Sequence, residues 1–155
     1  MSFEQAHFKA MLALAQADTG AGGLFESGGA NRLYGGFVRS DQQPPPETHN
    51  LPRVEVTFLP AVRNDSADGR GESVVVRMAV KIRRDNAFGT GDTPENAGVV
   101  DGIMDRLEAV YHGKSLSATG WSPAVMSVLR SPFQGPSDRA VVTRIMECLL
   151  VSSPS

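Results

Sequence analysis

Two different hydrophobic periods lie side by side between Ser73 and His112. From Ser73 to Arg84 every second residue is apolar, in the set Val74, Val76, Met78, Val80 and Ile82. This period of two predicts an amphipathic strand. Further along, the period becomes helical, with one stripe formed by Val100, Ile103, Met104, Leu107, Val110 and Tyr111. A strand and a helix that each bury one face predict a sheet covered by helices.

The remaining segments predict more elements of the same two kinds. A capping-box pattern at Ser2 and Gln5 predicts a first helix over Phe3–Ala17. The second helix is predicted to begin near Thr93-Pro94, capped by Asp92 or Thr93, and to end at Gly113. Further strands are predicted at Arg53–Leu59, Gly120–Arg130 and Ala140–Val151, with a short strand or turn within Asn31–Val38.

These elements predict an α+β fold in the order α-β-β-α-β-β. We expect a mainly antiparallel sheet of about four to five strands, with two helices packed on one face, in a single domain over residues 1–155. In Arg53–Leu59 one face is apolar, and Arg53, Glu55 and Thr57 are predicted to face water. Pro60–Gly71 is predicted to be a long loop between two hairpin strands.

The last two predicted strands differ in their hydrophobic pattern. Pro123 predicts an edge position or a bulge for the strand Gly120–Arg130. Ala140–Val151 is apolar on both faces, which is typical of a strand that is central in its sheet or packed against another subunit. The run Pro44–Pro46 predicts an extended surface connector.

Composition excludes several classes of function. The net charge of −2 and the pI of about 5.9 disfavour a nucleic-acid-binding module and are compatible with a surface past which DNA moves without specific binding. Cys148 is the single cysteine, so we expect a buried apolar side chain with no internal disulfide. No segment has the ~20 apolar residues that span a bilayer.

Candidate catalytic and metal-binding residues are also sparse. The histidines His7, His49 and His112 lie in separate segments, and His112 falls in the last turn of the second helix, where a cation is favoured by the helix dipole. Acidic residues at 101, 105 and 108 are predicted to form a solvated helix face. Lys81, Arg83 and Arg84 predict a charged strand end that discourages edge-to-edge aggregation or pairs with an acidic neighbour. No catalytic, cofactor or metal site is predicted.

The chain as a whole resembles the tail terminator, or tail-completion, proteins of long-tailed bacteriophages, including minor tail proteins at the neck. The segments that carry this resemblance are FEQAHFKAMLALAQA, RLYGG, LPRVEVTF, SVVVRMAVKIRR, VVDGIMDRLEAVYHG, the strand that begins with GW, and RAVVTRIMECLLV. The run Pro44–Pro46 and the long loop after Arg84 depart from the family's pattern.

The resemblance implies a structural virion protein rather than an enzyme. Members form a homohexameric ring that caps the tail tube, stops its polymerisation and provides the head-tail joining surface. The implied partners are other copies of the chain, the tail tube protein and a head-completion or neck protein, with DNA passing through the lumen. The implied location is the virion tail or neck, after assembly in the host cytoplasm, with no membrane and no cofactor.

Two loops and one aromatic residue are the predicted interface. We expect Pro60–Gly71 and Phe88–Thr93 to project towards the tube or neck partner, because long loops often carry contacts. The candidate interface residues are Arg63, Asn64, Asp65, Asp68, Arg70, Phe88 and Trp121. The alternative hypothesis is a small ferredoxin-like ligand-binding or enzymatic domain, which would need a concave pocket with convergent polar groups.

Overall fold

A fifteen-residue strand lies in the middle of the sheet. The computed structural model describes residues 2–25, 33, 36–40, 51–59, 62–66, 69–84, 98–135 and 140–154, with the backbone alone described at 62–66, 69–72 and 130–132. Along the described chain the elements are α1 (Phe3–Gln16), β1 (Gly36–Arg39), β2 (Arg53–Phe58), β3 (Val62–Ser66), β4 (Gly69–Arg83), α2 (Val99–Tyr111), β5 (Ser115–Leu116), β6 (Ala124–Gln134) and β7 (Val141–Ser152).

The strands form one mixed sheet in the order β1-β2-β4-β7-β6-β5. The strand β3 also pairs with β4, so β2 and β3 occupy the same edge of β4 one after the other. Every described pairing is antiparallel except that of β1 with β2, which is parallel. The strand β7 pairs with β4 over twelve residue positions, from Glu72 to Arg83, and with β6 on its other side.

The predicted α+β class with two helices is confirmed, but the predicted strand count and order fit only roughly. The strand β1 overlaps the segment Asn31–Val38, where a short strand or turn is predicted, and the short strands β3 and β5 are additional. The number of strands is seven, and the described order is α-β-β-β-β-α-β-β-β. Short strands carry too few residues to show a period of two, so pairing with a longer neighbour decides their structure. The strand β7, which is apolar on both faces, lies between β4 and β6. Of the two positions predicted for it, the central one is confirmed.

One apolar core joins the helices to the inner face of the sheet. The helical stripe of α2 is buried as predicted at Val100, Ile103, Met104, Leu107 and Tyr111, and it packs on β4, β6 and β7. The helix α1 contacts both β1 and β5, which lie at opposite ends of the strand order. The sheet therefore curls around the core, with both helices on its inner side.

The helix boundaries follow local capping. Ser2 accepts a hydrogen bond from the Gln5 amide at 3.2 Å, so the predicted capping box is present. The helix α2 begins at Val99 with Gly98 as its N-cap, so the predicted start near Pro94 is wrong, and residues 92–97 lie outside the described part. Gly113, with φ of +71°, follows the helix end as predicted.

The prediction that Arg53 on β2 faces water is wrong. Its side chain is 1% exposed, and its NH2 group lies 3.0 Å from Oε1 of Glu55. Lys81 lies opposite Arg53, and its Nζ is 3.1 Å from Oε2 of the same carboxylate. One glutamate therefore bridges two cations on neighbouring strands, which offsets the cost of burying a guanidinium. The predicted pairing of the Lys81 strand end with an acidic neighbour is confirmed at Lys81.

Candidate interaction surface

A β-hairpin replaces most of the loop predicted at Pro60–Gly71. In the register of β3 with β4, Arg63 lies opposite Glu72, Asn64 opposite Gly71 and Asp65 opposite Arg70. The backbone thus places opposite charges across the ladder at two of these positions. The segment forms a strand instead of the predicted loop because pairing along the edge of β4 outweighs the low strand propensity of Asn and Asp.

This hairpin extends past the rest of the sheet. The strand β7 pairs with β4 only from Glu72 onwards, whereas β3 pairs with β4 back to Gly69. Three residues of β4 therefore project beyond β7, which corresponds to roughly 10 Å at the strand rise. Asp68 and Phe88 lie outside the described residues, as do Phe88–Thr93 and Pro44–Pro46. The interface role of Arg63, Asn64, Asp65 and Arg70 stays a prediction.

Trp121 lies at the same end of the sheet as the hairpin. It forms a backbone bridge with Pro154, two residues beyond Ser152, and Ser152 lies opposite Glu72 of β4. Its ring is half-buried and meets Phe3 edge-to-face, with the centroids 4.8 Å apart. Trp121 therefore fixes the start of α1 against the end of β7, and its role at an interface stays a prediction.

Three exposed apolar side chains on β6 and β7 were not predicted as surface residues. Val125 is 55% exposed, Leu129 is 53% exposed and Val151 is 46% exposed. Val151 lies opposite Ser73, next to the base of the hairpin. Leu129 falls where the β6 register shifts between Val128 and Arg130. The apolar alternation in AVMSVL could have indicated Val125 and Leu129, since Ala124 and Met126 are buried on the opposite face.

An ion pair fixes the turn after α1 to α2. Arg106 donates from Nε to Oδ2 of Asp18 at 2.8 Å and from its NH2 group to Oδ1 of the same residue. The Leu24 amide also donates to Oδ2 at 2.8 Å. The hydrogen bond that Arg106 donates to Asp18 raises the pKa of the guanidinium, and the attraction of the Asp18 charge raises it further. The bidentate geometry makes this a rigid connection.

The acidic residues of α2 are accessible to solvent, as predicted. Asp105 and Glu108 are exposed, and Asp101 is half-exposed with Oδ1 3.5 Å from Nε of Arg144. In the part of the chain that the structure describes, no group of three or more His, Cys, Asp or Glu residues is placed to hold a metal ion.

The described residues offer little for bond-making chemistry. The Cys148 thiol is buried, and burial, followed by the charge of Glu108, raises its pKa to about 12, so it stays protonated at neutral pH. A cleft between Glu4, Arg39 and Phe58 has a volume of about 150 Å³, below the ~300–1,000 Å³ of typical small-molecule sites. Within the described ranges, no helix has the length and apolar content to cross a membrane.

Comparison with known proteins finds similarity among solved structures. No protein-family model matches the sequence, and no curated protein matches it. A chain from a solved structure described as the virion of a native gene transfer agent particle superposes with a TM-score of 0.64. The alignment covers 98% of this chain and 99% of that chain at 14% sequence identity. The two chains share a fold.

Proposed function

We propose that this chain is a structural subunit of a phage-like particle and that it caps the tail tube as a hexameric ring. The observation that carries the proposal is the fold shared with a chain of a gene transfer agent virion over nearly the whole length of both chains. The sequence resemblance to tail terminator proteins supports the finer role, in which the ring stops tube polymerisation and provides the head-tail joining surface.

The proposed mechanism is steric. Each copy contacts the next through different surfaces on its two sides, and such heterologous contacts generate a ring if the rotation closes. The projecting β3–β4 hairpin and the exposed side chain of Val151 at its base give one end of the subunit a surface suited to protein contacts. DNA passes through the lumen without specific binding, and no covalent bond is made or broken.

Deleting Asn64–Gly69 tests the role of the hairpin. The deletion removes most of the hairpin that projects past β7. It leaves intact the pairing of β4 with β7, from Glu72 to Arg83, and with β2, from Val76 to Lys81. We expect a folded subunit that fails to cap tails, with overlong tubes and unattached heads in micrographs of particles from a complemented deletion strain. The charge reversal Asp105→Lys, at an exposed position on α2, is the matched control and should assemble normally.

The oligomeric state tests the ring itself. Light scattering on the purified chain should give a hexamer, or a monomer that forms rings only on tube ends. Virions of normal tail length in the hairpin-deleted strain would contradict the proposed contact. A stable monomer that binds a metabolite and never associates with tube ends would contradict the capping role and favour the ligand-binding alternative.

A further inference from the structure

The outer face of the sheet, which points away from both helices, has an uncharged part beside the hairpin. Side chains alternate between the two faces of a strand, and Val74 and Val76 of β4 are buried on the inner face. Their odd-numbered neighbours on β4 and the matching residues of β7 and β6 therefore lie on the outer face. Next to the hairpin these residues form an outer patch without charge: Ser73, Val75, Val125, Ser127, Leu149 and Val151.

The most exposed large apolar side chains of the described residues lie on or beside this outer patch. Val125 and Val151 belong to it, and Leu129, which is also about half exposed, lies two residues beyond Ser127. Val99 is the next most exposed, at 41%, and it lies at the start of α2, which packs on the inner face. Exposed apolar side chains that cluster on one face are typical of a surface that contacts protein.

The same outer face continues onto the hairpin with small residues. By the alternation along β4, Gly69 and Gly71 are on the outer face, and their partners in the register of β3 are Ser66 and Asn64. The charged residues of the two hairpin strands occupy the alternate positions, which share a face with Glu72. Glycine inside a strand often marks a place where another backbone approaches closely. The outer face therefore has a small-residue half on the hairpin and an aliphatic half at its base.

We propose that this outer face pairs with the same face of a second copy of the chain. The two copies are related by a two-fold axis that runs across the strands at the level of Ser73. This axis places the aliphatic half of each copy over the small-residue half of the other, so that Val75 lies over Gly71 of its partner copy. Both halves are matched in a single contact, so the contact closes at two copies. A different protein fits this face only if it presents the same two halves in the reverse order.

Charge and size determine the strength of this pair. The outer patch brings no charge into the contact, and at its border the NH2 group of Arg77 lies 3.6 Å from Oε1 of Glu147, so two copies do not repel each other there. At the usual strand spacing, three strands over the length from Gly69 to Val75 cover roughly 300 Å². This is below the ~800 Å² per partner of a standard interface, so the pair is weak and depends on concentration.

The pair goes beyond the proposed ring and does not rest on it. Contacts within the ring are heterologous, whereas this contact joins the same face of two copies. It therefore joins two monomers into a dimer or two rings into a double ring. If the pair does not form, the ring remains possible through its other surfaces.

Sedimentation equilibrium over a range of concentrations tests the pair. Between micromolar and millimolar concentration we expect the mass of the wild type to double. Val151→Lys places a charge in the contact of each copy, so it should raise the dissociation constant at least about tenfold. Val99→Lys, at the exposed valine outside the outer patch, is the matched control and should pair like the wild type. Urea unfolding of both variants shows that they are folded.

Methyl NMR on a mixture of labelled and unlabelled copies identifies the surface that is used. We expect intermolecular contacts between the Val75 methyl groups and the Gly71 α-protons. A mass that does not double at millimolar concentration would overturn the proposal, as would a mass that doubles equally in Val151→Lys and Val99→Lys. Intermolecular contacts confined to another surface would also overturn it. If the wild type never pairs and Val151→Lys still abolishes tail capping, the face belongs to a different partner and the proposal is wrong.

Discussion

The buried thiol of Cys148 makes the stability of the fold depend on alkaline pH. Cys148 lies on β7 opposite Val76 of β4 and Val128 of β6, and it is fully buried. Ionisation would leave a charge in the apolar core, so burial, followed by the charge of Glu108, raises the pKa of the thiol from 9.0 to about 12. The folded protein therefore holds this proton more tightly than the unfolded chain does.

The direction and size of the effect follow from the two pKa values. The contribution of Cys148 is fully present well below pH 9 and is lost as the pH rises towards 12. One proton gives a slope of at most about 1.4 kcal/mol per pH unit, and the loss between pH 8 and pH 10 is about 1.4 kcal/mol. Burial also raises the pKa of Tyr111, whose ordinary value is 10.0. The loss of folding stability that comes from Tyr111 therefore begins about one pH unit above the loss that comes from Cys148.

Urea unfolding of the wild type and of Cys148→Ala under reducing conditions at pH 8, 9 and 10 measures this effect. The cavity left by alanine costs the same at each pH, and Tyr111 titrates in both proteins. The difference in unfolding free energy between the two should therefore shrink by about 1.4 kcal/mol from pH 8 to pH 10. A difference that stays constant would show that the thiol ionises as readily in the folded protein as in the unfolded chain.

Six further substitutions test the packing by chemical denaturation. Leu107→Ala should lower the unfolding free energy by about 3–5 kcal/mol, and Leu107→Asp should abolish soluble folding; a normal melt for either would contradict the position of α2 in the core. Tyr111→Phe removes the buried hydrogen bond from its hydroxyl to the Met11 carbonyl, 2.6 Å long, and should cost about 1 kcal/mol. Gly102→Ala should stabilise by about 0.5–1 kcal/mol, because its new Cβ meets no atom within 4 Å; destabilisation would mean that α2 is packed more tightly there. A double-mutant cycle of Asp18→Asn with Arg106→Met should give a coupling energy of about 1–2 kcal/mol, and additive effects would refute the ion pair.

The elements that could be predicted from the sequence are those in which one hydrophobic period repeats over many consecutive residues. The stripe of α2 and the alternation of β4 each extend over ten residues or more, so burial of one face leaves a clear pattern. The strand β3 contains Asn64 and Asp65, which favour turns in isolation, and it becomes a strand because the adjacent edge of β4 is available. Residue composition cannot show such a long-range partner.

The same limit applies to the surface. Arg53 has the charge of a solvent-facing residue, and it is buried beside the carboxylate of Glu55, two residues away on the same strand. That carboxylate also binds Lys81, which only the register of β2 with β4 brings close to it. The projecting end was predicted from turn-forming residues, although as a loop rather than a hairpin. His112 was assigned to the helix dipole, because the sequence gives no indication that the Val128 amide lies beside it.

The placement of β7 has a consequence for synthesis on the ribosome. This strand is the last one along the chain, yet it lies between β4 and β6 in the sheet. While residues 141–152 are still inside the exit tunnel, β4 has its β2 and β3 partners on one side and no β7 on the other. Folding of the sheet is therefore completed after translation of this segment, and the growing chain exposes an apolar strand edge until then.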